Sequence, residues 1–103
     1  MSPFKVKRSS VRSLTDLPNV GPAIAADLRL LGFQRPQQLV GQDPFTLYER
    51  LCRRTKQRQD PCVLDVFMSI TAFLGGAPPR PWWAFTAPRK RLLKRALTRQ
   101  QPA

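Results

Sequence analysis

The sequence predicts an all-α protein: a single compact bundle of about five helices, with basic ends. Three observations carry that prediction. Apolar residues recur at helical spacing through most of the chain. Two Asp-Pro pairs, Asp43-Pro44 and Asp60-Pro61, combine an N-cap residue with a proline at the first helical position. No segment alternates convincingly with period two, so no sheet is expected. At 103 residues the chain has room for one domain and one core, and its 42% apolar content is ordinary for a globular protein. Three segments are expected: a basic flexible arm over 1–12, a helical domain over 13–86, and a basic C-terminal helix and tail over 87–103.

The first twelve residues are basic and Ser-rich with no helical period, which is why they read as an arm. Ser13-Leu14-Thr15-Asp16-Leu17 reads as a short helix capped by Ser13 and ended by Pro18. After the Asn19-Val20-Gly21 turn, Pro22 opens a second helix with Ile24, Ala25, Leu28 and Leu31 on one stripe, stopped by Gly32. Pro36 to Val40 adds one further turn, closed by Gly41. The helix from Asp43-Pro44 places Phe45, Tyr48, Leu51, Cys52 and Thr55 together, and leaves Glu49, Arg50, Arg53, Arg54 and Lys56 on its wet side. From Asp60-Pro61, the run Val63 to Leu74 is apolar around most of its circumference, as the buried centre of a bundle is. Gly75-Gly76 ends it, and Ala77-Pro78-Pro79-Arg80-Pro81 must run extended. Trp82, Trp83 and Phe85 are expected to fold back over the bundle, one Trp buried and one partly exposed; base stacking is the alternative use. Thr86 caps a last helix in which Leu92, Leu93, Ala96 and Leu97 form a narrow stripe among Arg89, Lys90, Arg91, Lys94, Arg95 and Arg99.

The chain carries 18 Lys and Arg against 6 Asp and Glu, a formal charge of +12. Such an excess points to a polyanion or a membrane surface. All the acids lie between residues 13 and 65, where seven bases nearly balance them; four bases precede that stretch and seven follow it. The core is therefore almost neutral and the ends hold the excess. The last helix lacks stripe aromatics, which disfavours membrane insertion and leaves nucleic acid, DNA above all, as the expected partner. A protein partner or a second copy of the chain is the alternative.

No secretory signal is legible at the start and no apolar run is long enough to span a bilayer, so a cytoplasmic protein with reduced thiols is expected. There is no histidine, no Walker-type loop and no paired carboxylate spacing, so no enzyme is expected. Two cysteines without histidine do not complete an ordinary zinc site, so no metal and no cofactor are expected.

The stretch Leu14 to Leu31, with the turn Leu17-Pro18-Asn19-Val20-Gly21-Pro22, resembles the helix-hairpin-helix motif of DNA repair and recombination proteins, a SAM-like arrangement. In that motif a glycine-containing turn brings backbone close to phosphate and aims free N–H groups at it. Asn19 stands at the first glycine position and tolerates left-handed geometry. Ala23 stands where DNA-binding versions often carry Lys or Arg. The resemblance makes the Asn19, Val20, Gly21 and Ala23 amides the expected phosphate contacts. Arg29, Arg35 and the terminal bases Arg89, Lys90, Arg91, Lys94 and Arg95 supply attraction. The same hairpin also serves packing alone, as a protein-interaction or scaffold module.

Asp60-Pro61-Cys62-Val63-Leu64-Asp65-Val66-Phe67, preceded by Leu51-Cys52 and followed by Pro81-Trp82-Trp83, is similar to a family of small bacterial proteins labelled pathogenicity locus or mitomycin resistance proteins. The resemblance covers Leu14 to Arg91. It implies a helix-hairpin-helix protein, DNA binding, and a link to DNA damage or repair.

Two further residues stand out. Cys62 falls in the first turn of its helix, where the positive helix end and Arg58 would favour a reactive thiolate, while Asp60 and Asp65 oppose it. A structural role is the favoured reading and a reactive thiol the alternative; Cys52 sits on a core stripe and could approach Cys62. Asp65, between apolar neighbours, reads as a buried carboxylate serving as a structural hydrogen-bond hub, with an arginine or a backbone N–H as partner.

Overall fold

Among the described residues, a computed structural model of the protein has four α-helices, α1 (Pro22–Leu30), α2 (Pro44–Thr55), α3 (Pro61–Leu74) and α4 (Thr86–Gln100). The structure describes the backbone of residues 6–100 and the side chains of residues 6–96, and no strand occurs among them. Both Asp-Pro starts form as expected. The Asp43 carboxylate accepts the Thr46 amide and the Asp60 carboxylate accepts the Cys62 amide, each at 2.9 Å. The expected short helix before Pro18 is instead a single 3-10 turn, Leu14–Asp16, because proline stops the chain before an i to i−4 bond closes. Pro36–Leu39 and Trp82–Phe85 are likewise 3-10 turns, so the α-helices number four rather than five.

Three of the helices end in the same way. At α1, the Gly32 amide donates to Arg29 and the Phe33 amide to Leu28, with Gly32 at φ 98°. At α3, Gly76 takes that left-handed position, with its amide bonded to Phe73 and that of Ala77 to Ala72. At α2 the position is held by Lys56 at φ 56°, a non-glycine residue in a conformation that disfavours a Cβ. The pattern leaves Phe33 buried above Leu28, the apolar contact that closes such an end.

The core forms around α3. Leu64, Phe67, Ile70 and Phe73 recur at three-residue spacing and are fully buried against Leu14, Leu28, Leu47 and Leu51. Each such side chain contributes roughly 1.5–3 kcal/mol of transfer free energy. Residues 6–12 are not a free arm. Val6 and Val11 pack against the core. The Arg8 guanidinium donates to the Phe73 carbonyl at 2.8 Å and to that of Ala77, and lies 4.5 Å from the Phe73 ring centroid. A cation set on the last carbonyls of α3 complements the negative end of that helix.

Asp65 lies on α3 with no exposure at all. Its carboxylate accepts the Thr86 hydroxyl and the Arg89 Nε–H, each at 2.8 Å. This buried pair fastens the first turn of α4 to the centre of the bundle, with Leu92 and Leu93 packed beyond it. Arg89→Ala removes the counter-ion and leaves Asp65 buried and uncompensated. It is expected to lower unfolding free energy by about 3–5 kcal/mol in urea titration, and Asp65→Ala/Arg89→Ala together less than the sum of the two singles.

Candidate nucleic-acid interface

The turn before α1 is built from the inside outwards. Leu17, Pro18 and Val20 are buried, and the Val20 amide donates to the Leu17 carbonyl at 3.3 Å. Asn19 adopts φ 66°, as its short amide side chain allows. That side chain points into the protein. Its Nδ2 donates to Ser69 Oγ at 3.0 Å and to the Arg80 carbonyl at 2.7 Å, while its Oδ1 accepts the Trp82 amide at 3.1 Å. Ser69 Oγ in turn donates to the Val66 carbonyl at 2.6 Å. The turn is thereby joined to α3 and to the Pro-rich segment at once.

Gly21, Pro22 and Ala23 are exposed. No side chain caps the start of α1, and the first intrahelical bond runs from the Ala25 amide to the Gly21 carbonyl at 3.0 Å. Pro22 has no N–H, and helix geometry leaves the Ala23 and Ile24 amides without an intrahelical acceptor. Gly21 is extended at φ −94°, and a Cβ there would meet nothing within 4 Å. The fold itself makes no demand for glycine at this position.

Two of the expected contacts change. The Val20 amide is already spent on Leu17, while the bonds of Asn19 are those of its side chain, and Gly21 and Ala23 are the exposed part of the turn. Arg89 is withdrawn from the phosphate set because it neutralises Asp65, leaving its side chain 15% exposed. Lys90, Arg91, Lys94 and Arg95 are exposed on α4. Arg29 is exposed two turns beyond Pro22 on the same stripe of α1, roughly 10 Å along the axis. Arg35 instead shares a shallow depression with Arg12, Ser9, Gln37 and Gln38. Asp27, one turn beyond Ala23, has its carboxyl pushed up by burial.

Two clusters differ from what the sequence suggests. Arg50, Arg53 and Arg54 border a depression with Leu30 and Gly32. Arg50 also donates to the Leu31 carbonyl at 3.0 Å and sits over the Phe33 ring, so it holds α2 to the end of α1. The second cluster is the tryptophan pair. Trp82 is 37% and Trp83 61% exposed, so neither closes the core. Buried Pro81 and the Asn19 bond fix their backbone, and the indoles turn outward.

Both cysteines are free thiols. Burial, the adjoining Asp60 carboxylate and the charge of Asp65 all push the Cys62 thiol up, and outweigh the backbone hydrogen bond that lowers it. The reactive thiolate, the lesser of the two readings of Cys62, is thus opposed by its surroundings. Alkylation of Cys62 by iodoacetamide near pH 8 is expected to run slower than that of an unhindered cysteine peptide, with mass spectrometry following each site. A Cys62 rate above the peptide's would contradict this.

A family described as Pathogenicity locus (Cdd1) matches residues 7–91. The "Mitomycin resistance protein McrB" of Streptomyces lavendulae is 46% identical over 80 residues, covering 78% of this chain and 76% of that protein. No solved structure matches. With the match running from the Arg8 segment through the first turns of α4, the chain belongs to the pathogenicity locus family.

Proposed function

We propose that this chain is a non-enzymatic nucleic-acid-binding protein that grips DNA backbone without reading sequence, and that Leu14–Leu30 is a helix-hairpin-helix whose first arm has shortened to one 3-10 turn. The observation that carries the reading is the exposed, uncapped edge Gly21–Ala23, held rigid from behind by Asn19. A helix start with free amides favours an anion. A glycine that the fold does not need suits close approach of a phosphate to backbone. The exposed bases Lys90, Arg91 and Arg95 on α4, with Arg29, supply long-range attraction that Ala23 does not. A link to DNA damage belongs to the same reading, in keeping with the resistance named for the relative.

A second reading makes the hairpin a packing element and the protein a scaffold for a protein partner. It draws on buried Val20 and on the inward bonds of Asn19. The two readings part on salt and on charge at one exposed position. Anisotropy with a labelled duplex is expected to show affinity falling steeply as salt rises from about 50 to 200 mM. Ala23→Lys is expected to tighten binding several-fold and steepen the log–log salt slope by about 0.9, and Ala23→Glu to weaken binding by a comparable factor. Absence of binding near 100 mM salt, or identical affinity in both variants, would remove the DNA-backbone reading.

A further inference from the structure

An exposed aromatic pair on a rigid backbone is costly to leave in water without a use. Here the pair is also placed. Asn19 Nδ2 holds the Arg80 carbonyl at 2.7 Å and Asn19 Oδ1 takes the Trp82 amide at 3.1 Å, so the segment carrying both indoles is bonded directly to the hairpin turn. Pro81 is buried on one side, and the Ala84 amide closes onto the Pro81 carbonyl at 3.1 Å. The indole centroids lie 5.8 Å apart at 84°, edge to face. Such a pairing covers at most one face of one ring, and leaves the more exposed indole with a face free to stack.

The surroundings select the partner. No acid occurs beyond Asp65, and Arg80, Lys90 and Arg91 are exposed on the segments that flank the pair in the chain. Aromatic faces in a cationic setting are how proteins hold unpaired bases between phosphates. Duplex bases are already stacked and offer no face. We propose that Trp82 and Trp83 form a stacking platform for an unpaired base of single-stranded DNA, positioned so that the adjoining phosphates meet the Gly21–Ala23 edge. The proposal rests on the DNA-binding reading and adds a strand preference to it.

The chain contains only these two tryptophans, so all indole emission reports on the platform. The intact protein is titrated with a mixed-sequence single strand, with the matching blunt duplex, and with anionic phosphatidylserine vesicles, following emission and anisotropy. Single strand is expected to quench the emission. Trp83→Ala, at a position exposed enough to spare the fold, is expected to weaken single-strand binding by about tenfold to a hundredfold while duplex affinity stays within about twofold. Trp83→Phe is expected to recover most of the loss, and circular dichroism checks that both variants are folded. Duplex binding without quenching by single strand, or equal single-strand affinity in Trp83→Ala, overturns the platform and leaves the backbone reading standing. A blue shift with vesicles and no response to single strand overturns it in favour of a membrane surface. Failure to bind either nucleic acid removes both readings.

Discussion

The arrangement depends on one buried charge. Asp65 is fully enclosed within the most apolar helix of the protein, where an unpaired carboxylate would be prohibitive. Its two partners, Thr86 and Arg89, stand three residues apart on α4, and so share one face of that helix. Satisfying Asp65 therefore fixes not only where α4 begins but also its rotation. Leu92 and Leu93 turn inward behind the ion pair. Lys90, Arg91, Lys94 and Arg95 are turned to the surface. The display of positive charge on α4 is a consequence of neutralising a negative one in the core.

A second polar tie brackets the same stretch of chain from its other end. Asn19 takes the left-handed conformation that the turn requires, and its amide group satisfies two backbone groups of the Pro-rich segment together with Ser69. Between this tie at Arg80–Trp82 and the Asp65 contacts at Thr86 and Arg89, the 3-10 turn Trp82–Phe85 has little freedom. Groups held this way lose little further entropy when a ligand meets them. The hairpin edge and the outward indoles are therefore pre-positioned relative to each other, though their sequence positions are some sixty apart, as the Asn19–Arg80 separation of 61 records.

What was legible in the sequence was whatever is decided locally. Asp43-Pro44 and Asp60-Pro61 start their helices because an N-cap carboxylate and a following proline act within one turn. Gly32 ends α1 for the same reason. The end of α2 carried no such mark, since Lys56 occupies a position where glycine is usual. Long-range partners were hidden. Asp65 was recognisable as a buried carboxylate, but nothing in its neighbourhood named Arg89, which read instead as one more base of a wet helix. Arg8 looked like part of an arm because its acceptors lie 65 and 69 residues away. The tryptophans were expected to fold back over the bundle, one of them buried, because of their hydrophobicity and the prolines beside them. The backbone bonds that turn them outward arise from Asn19, whose sequence context signalled only a tolerant turn residue.

The family match takes in both the long-range ties and most of the charge. The match runs over residues 7–91 and includes the Asp65–Arg89 pair and the Asn19 tie, the two contacts that set geometry. Of the 18 Lys and Arg, 14 fall within residues 7–91, and α4 carries Lys94, Arg95 and Arg99 beyond them. On the proposed DNA-backbone reading, a nearly neutral scaffold with a fixed edge and a basic helix would divide the labour of holding a polyanion. Attraction comes from charges whose exact positions matter little, because their fields act over about a Debye length of 8–10 Å. Placement comes from backbone amides and ring faces that act only in contact. On that reading Ala23 would be no defect: a turn that positions a phosphate needs access and rigidity, and the exposed Gly21 and the bonds of the Asn19 side chain offer both.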